Sequence, residues 1–267
     1  QEHEQIVAKL QATIDEHSEQ SEQIEDQQSW NAWTSSFRTD DEGYIMVELN
    51  EACAGGELKK VKYLVERLNV DVNGWEEICR TPLHHAVDNC HTEICKYLIG
   101  SCGANANAMD GGESTPLHSA AKNGCLEICK YLIDNCNVNV DATDDLGMTP
   151  LSFAASEGHL EICHYLIESC GANTDEEEYC TTPLHEAAAN GHIEICKYLI
   201  ENSIIDVNVK DYENGTPLHY AASQGQIEIC KYLIETCDAD VDVEDYYGKT
   251  PLHDAASSGH LETCKYL

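Results

Sequence analysis

The feature that most constrains this chain is a repeat. Thr-Pro-Leu-His stands at Thr81 to His84, Thr115 to His118, Thr182 to His185, Thr216 to His219 and Thr250 to His253, with Thr149-Pro150-Leu151-Ser152 as a variant. The successive threonines lie 34, 34, 33, 34 and 34 residues apart. A second segment keeps step: Glu93-Ile94-Cys95-Lys96-Tyr97-Leu98-Ile99 and its equivalents beginning at Glu127, Glu161, Glu194 and Glu228. Such a period means a stacked array, because one unit buries too little apolar surface to offset its ordering entropy and must lean on a neighbour.

Each unit reads as turn, helix, turn, helix. Thr is a good N-cap and Pro suits the first helical position, where its missing N–H costs nothing. Leu83, Ala86 and Val87 then give the first helix an apolar face. Gly124, Gly158, Gly191, Gly225 and Gly259 end that helix, as residues in the left-handed region do. The second helix turns Ile94, Cys95, Leu98 and Ile99 inward and pairs Glu93 with Lys96 outside at i,i+3. Short β-prone pieces, such as Asp206 to Val209 and Asp240 to Val243, connect the units.

The period and the order Thr-Pro-Leu-His, Ala-Ala-x-x-Gly-His, Glu-Ile resemble the ankyrin repeat over residues 44–267. The resemblance implies an all-α solenoid with short β-hairpin loops, made of about seven stacked repeats with the last one truncated. It also implies that the Thr and His of the motif tie neighbouring loops by hydrogen bonds, a pattern from which Ser152 departs. The expected units are 44–77, 78–111, 112–145, 146–178, 179–212, 213–246 and the partial 247–267. The first has Val47-Glu48-Leu49-Asn50 in place of the motif, as a terminal repeat facing solvent or a cap can. Residues 1–43 form an expected helical flank in which Trp30, Trp33 and Phe37 share one face, which docks on the first repeat as a cap; the alternatives are a face for a partner helix or an effect of truncation.

Charge narrows the partners. Fifteen basic against 49 acidic residues leave a formal charge of −34. Such a surface repels phosphate, which disfavours nucleic acid and anionic membranes. No apolar run of the length needed to span a bilayer occurs, and the first ten residues lack a signal-peptide pattern. The start without Met and the end within a helical pattern read as a segment of a longer protein. Fifteen cysteines, an odd number mostly at repeating helical positions, fit a reducing, intracellular and cytoplasmic setting better than a disulfide framework. Equivalent cysteines of successive repeats are not expected to pair. Stacked helices lie roughly 8–10 Å apart, and bridged Cα atoms must come within about 7 Å.

Catalytic and metal chemistry find no foothold. The chain has no Cys-x-x-Cys, no His-Glu-x-x-His, no Gly-x-Ser-x-Gly and no phosphate loop. Cys125 and Cys129 with His118 make a weak zinc candidate that other units do not repeat. A histidine recurring at a capping position is structural, since a catalytic group is needed once and in a cleft. The chain therefore reads as a non-enzyme without a cofactor or metal.

What remains is variation on a fixed frame. The hairpin tips and the exposed ends of the first helices vary, and the resemblance implies that they line a concave groove holding a protein partner. Exposed aromatic and apolar residues among acids have the composition of an interface. The candidate partner-binding residues are Asp145, Leu146, Met148, Phe153, Glu157, Glu178, Tyr179, Glu186, Tyr212, Glu213, Tyr220, Tyr246, Tyr247 and Asp254. The expected partner is a protein or peptide with basic side chains, bound by a monomeric adaptor. The alternatives are a structural spacer, or a regulatory array whose active domain lies elsewhere.

Overall fold

The computed structural model describes residues 42–75, 79–174, 181–202 and 205–267. Trp30, Trp33 and Phe37 lie outside them, so their expected capping role does too. Residues 46–267 group as one compact unit. Among the described residues there are fourteen helices. They are α1 (Glu42–Ala54), α2 (Leu58–Leu68), α3 (Pro82–Asp88), α4 (Thr92–Cys102), α5 (Pro116–Lys122), α6 (Leu126–Cys136), α7 (Pro150–Ser156) and α8 (Leu160–His164), which widens into a π-helical turn at Tyr165–Ser169. Then come α9 (Pro183–Asn190), α10 (Ile193–Asn202), α11 (Pro217–Ser223), α12 (Ile227–Glu235), α13 (Pro251–Ser257) and α14 (Leu261–Tyr266).

The first helices of the Thr-Pro-Leu-His units are seven or eight residues long, far below the length at which a helix persists alone in water. Two things hold them. One is a capping box: at Thr115 the backbone N–H donates to His118 Nδ1 at 3.0 Å, and at Thr182 to His185 Nδ1 at 3.1 Å, while the threonine side chain accepts from the third residue's N–H. The other is packing. Ala86, Ala120, Ala154, Ala187, Ala221 and Ala255 are all fully buried, and these small residues let successive first helices approach closely. Leu83, Leu117, Leu151, Leu184 and Leu218 fill the next column, with the Ile94, Cys95 and Leu98 column of the second helices behind it.

The cysteines of that column are core residues. Burial pushes the thiols of Cys95, Cys129, Cys163 and Cys196 up to about 12, so at neutral pH they are small apolar groups rather than nucleophiles. None of them pairs with its equivalent in a neighbouring unit. One pair of non-equivalent cysteines does bond: Cys90 and Cys125, with Cα atoms 5.4 Å apart. Comparing equivalent positions misses it, because the partners are offset by one place in the repeat.

The outer face of the second helices is tied from unit to unit. Tyr97 donates to Glu66 at 3.1 Å, Tyr165 to Asp134 at 3.0 Å, Tyr198 to Glu168 at 3.3 Å and Tyr266 to Glu235 at 2.9 Å. The expected i,i+3 pairs are present as well, with Lys197 Nζ 2.8 Å from Glu194 and Lys231 Nζ 2.9 Å from Glu228. Being exposed, they are screened by solvent and add little to stability.

The β-prone connectors do not become strands among the described residues. Asp206 accepts from the N–H of Asn208 at 2.9 Å, and Asp240 from that of Asp242 at 3.0 Å. These side chains fold the backbone into turns before the valines can pair.

Candidate functional site

The hairpin tips are built by a recurring aspartate. Asp144 Oδ1 accepts from the N–H groups of Leu146 at 3.0 Å and Met148 at 2.8 Å. Asp110 does the same for Gly112 and Ser114, Asp211 for Glu213 and Gly215, and Asp245 for Tyr247 and Lys249, all within 3.0 Å. These four carboxylates set the shape of the tips. Sequence reasoning counted them only as negative charge, though their recurrence at matching places was a readable signal.

Neighbouring tips are joined by backbone bonds, Asp145 N–H to Gly112 at 3.0 Å and Tyr246 N–H to Glu213 at 2.6 Å. The capping histidines add a second tie. His118 Nε2 donates to the carbonyls of Ala142 and Met148 at 2.9 and 3.1 Å, His185 to Gly215 at 3.1 Å and His219 to Lys249 at 3.1 Å. Burial lowers the pKa of His118, and that of His185 to about 4, so both are neutral. Nδ1 accepts and Nε2 carries the proton. Ser152 has no ring to reach forward and shares a hydrogen bond with Thr149 Oγ1 at 3.1 Å.

On this frame the candidate residues fall into two groups. The first surrounds an open depression of about 460 Å³ lined by Asp88, Asp110, Lys122, Asp144, Asp145 and Phe153. Phe153 is half-buried rather than projecting. The Lys122 ammonium lies 5.6 Å from its ring centre, and the ring meets His118 edge-on at 5.9 Å. Asp88 is held by an ion pair with Arg80. Leu146, next to Asp145 at the tip, is 79% exposed. Met148 is half-buried with its sulfur 3.7 Å from Thr181 Oγ1, and the same hydroxyl lies 2.9 Å from Glu186. Glu157 is exposed at the end of α7.

The second group lies at the later tips. Tyr212, Tyr246 and Tyr247 are 61%, 73% and 64% exposed. The rings of Tyr246 and Tyr247 meet edge to face at 5.4 Å, and Tyr247 donates to Glu213. Tyr220 differs, for it is half-buried, packs edge-on against His185 at 5.0 Å and donates to Asp211 Oδ2 at 2.7 Å. Burial and that bond push its phenol pKa up. Asp254 is half-buried, which raises its carboxyl pKa. Glu178 and Tyr179 lie outside the described residues.

The tyrosines thus sort by position. Tyr97, Tyr165, Tyr198 and Tyr266 of the second helices are spent on ties between units, whereas Tyr212, Tyr246 and Tyr247 stand largely in solvent, Tyr247 with a bond to Glu213. A roomier depression of about 620 Å³, bordered by Glu66, Asp71 and Tyr97, lies away from the tips. Among the described residues no helix is long and apolar enough to cross a membrane, and no three His, Cys, Asp or Glu side chains gather as for a metal ion. Cys125, weighed above as a zinc ligand, is bonded to Cys90 instead.

A family model described as ankyrin repeats (3 copies) matches residues 49–110, 101–178, 117–211, 164–245 and 205–267. A search of curated proteins finds no match.

Proposed function

The chain belongs to the ankyrin-repeat family, and from that premise we propose that it is an adaptor that holds a protein partner along its tips and first helices. Repeats of this family are generally protein-interaction modules. The observation that carries the reading here is the contrast among the tyrosines. A frame that uses tyrosine repeatedly for internal ties leaves the rings of Tyr212 and Tyr246 exposed on the tips, and that of Tyr247 exposed although its hydroxyl is tied to Glu213.

Large aromatic rings in water, ringed by carboxylates, favour a partner that brings basic side chains around an apolar anchor. Arginine or lysine can lie over a tyrosine face while its charge meets an acid. Leu146 and the Phe153 depression extend the same face, and Lys122 there adds a place for an acidic or carbonyl group of the partner. We infer no catalytic role. The twelve free cysteines among the described residues, against one disulfide, support an intracellular setting.

The test is selection of a random peptide display library on the immobilised protein. Enriched peptides carry arginine or lysine flanking an aromatic or aliphatic residue. Enrichment of acidic peptides, or of no sequence at all, contradicts the reading.

A further inference from the structure

At five joints between successive units the same two places meet. One is the glycine that ends a first helix, and the other is the residue just past the equivalent place in the next unit. The pairs are Gly56 with His91, Gly124 with His159, Gly158 with His192, Gly191 with Gln226 and Gly225 with His260. A Cβ on Gly124 would stand 2.7 Å from the His159 ring, and one on Gly225 2.5 Å from that of His260. The rings also donate backwards, His91 to Ala54 and His159 to Lys122, each at 2.9 Å. Glycine and ring are therefore a matched set, since the ring leaves no room for a side chain.

At the joint between the units of Thr81 and Thr115 both members change together. Cys90, with φ 55°, takes the glycine's place, Cys125 takes the ring's place, and the two are bonded. A cysteine at 90 needs the change at 125, because its side chain would collide with a ring there. Cys90 is exposed and Cys125 buried. The bond joins the ends of α3 and α5, one turn from Asp88 and Lys122 on the rim of the depression.

We propose that Cys90 and Cys125 are a redox-modification site, a covalent clasp that replaces the glycine-imidazole joint and is opened by a dithiol reductant. The exchange begins when a reductant thiolate attacks the exposed Cys90 sulfur. Cys125 leaves as a thiolate and takes a proton. The reductant's second thiol then displaces Cys90, so the reductant becomes a disulfide and the protein gains two thiols. A small-molecule disulfide runs the same steps backwards. The buried core thiols stay out of this chemistry, being neutral and sealed from solvent. The site stands independently of the partner-binding reading.

The test compares the whole chain after equilibration with a small-molecule disulfide and with a dithiol. In the oxidised sample, alkylation under denaturing conditions leaves one linked peptide pair containing Cys90 and Cys125, and the dithiol abolishes it. Reduction lowers the thermal midpoint by on the order of 5–10 °C. In the Cys90→Gly, Cys125→His double variant, which copies the other joints and so keeps the fold, the dithiol moves the midpoint by less than about 1 °C. Cys125→Ser gives a second form unable to bond and equally indifferent to the dithiol. Full alkylation of both cysteines in the oxidised sample overturns the proposal, and so does an equal midpoint shift in the variants.

Discussion

Tyr247 donates its phenolic proton to Glu213 across 3.1 Å, linking the tips of two adjacent units. The carboxylate raises the phenol's pKa and holds the proton there. An exposed bond of this kind is screened by solvent and adds little to folding. Glu213→Gln is therefore expected to leave the urea midpoint unchanged. If the carboxylate meets a basic partner, the same variant weakens binding about tenfold and flattens its dependence on salt, because screening acts on exposed charges. Titration at two ionic strengths checks both.

His185 makes a pH prediction with a definite sign. Its folded pKa is lowered to about 4, whereas an unfolded imidazole titrates near about 6.5. Above the unfolded value both states are neutral and the contribution is fully present. As pH falls from there towards 4, the unfolded chain takes a proton that the native site refuses. Stability is then lost at up to about 1.4 kcal/mol per pH unit. His185→Gln retains a side chain that can serve the capping box and removes this slope. Urea melts of both proteins between the two pKa values measure the difference.

Gly124 and Gly248 share almost the same backbone conformation, φ 74° and 73°. Their surroundings differ. A Cβ on Gly124 meets the His159 ring, whereas one on Gly248 meets nothing within 4 Å. Gly248→Ala is expected to cost about 1 kcal/mol for the left-handed conformation alone. Gly124→Ala is expected to cost about 2–4 kcal/mol, because the ring must also give way. Denaturant titrations separate the two.

Asp245 and Glu244 are adjacent acids with different duties. Asp245 accepts from two tip N–H groups at 2.8 Å, so Asp245→Ala is expected to loosen the tip and cost about 1–2 kcal/mol. Glu244→Ala should stay within about 0.5 kcal/mol. Hydrogen exchange at the Tyr247 and Lys249 amides reports the loosening directly.

The frame was legible because it is written several times over. A threonine, proline and histidine recurring in step specify capping boxes, and alanine and cysteine columns specify where helices touch. The candidate face was less legible, since there each residue occurs once. Nothing in the spacing distinguishes Tyr220, tethered to Asp211, from Tyr246, which stands in solvent. Phe153 likewise looked free, although a lysine from the previous unit covers it. The Cys90 and Cys125 pair escaped because its partners occupy different places in the repeat. The connector valines illustrate a third limit, as side-chain turns at Asp206 and Asp240 overrode their strand propensity.

Partner binding through unrepeated tip side chains, on a frame that serves only to present them, is most directly tested by titrating a selected basic peptide against a double variant. Tyr246→Ala with Tyr247→Ala is expected to keep the helical circular dichroism and the melting temperature of the parent. Its affinity should fall at least about thirtyfold, the loss typical of an interface hot spot. Unchanged affinity in a folded double variant contradicts the account.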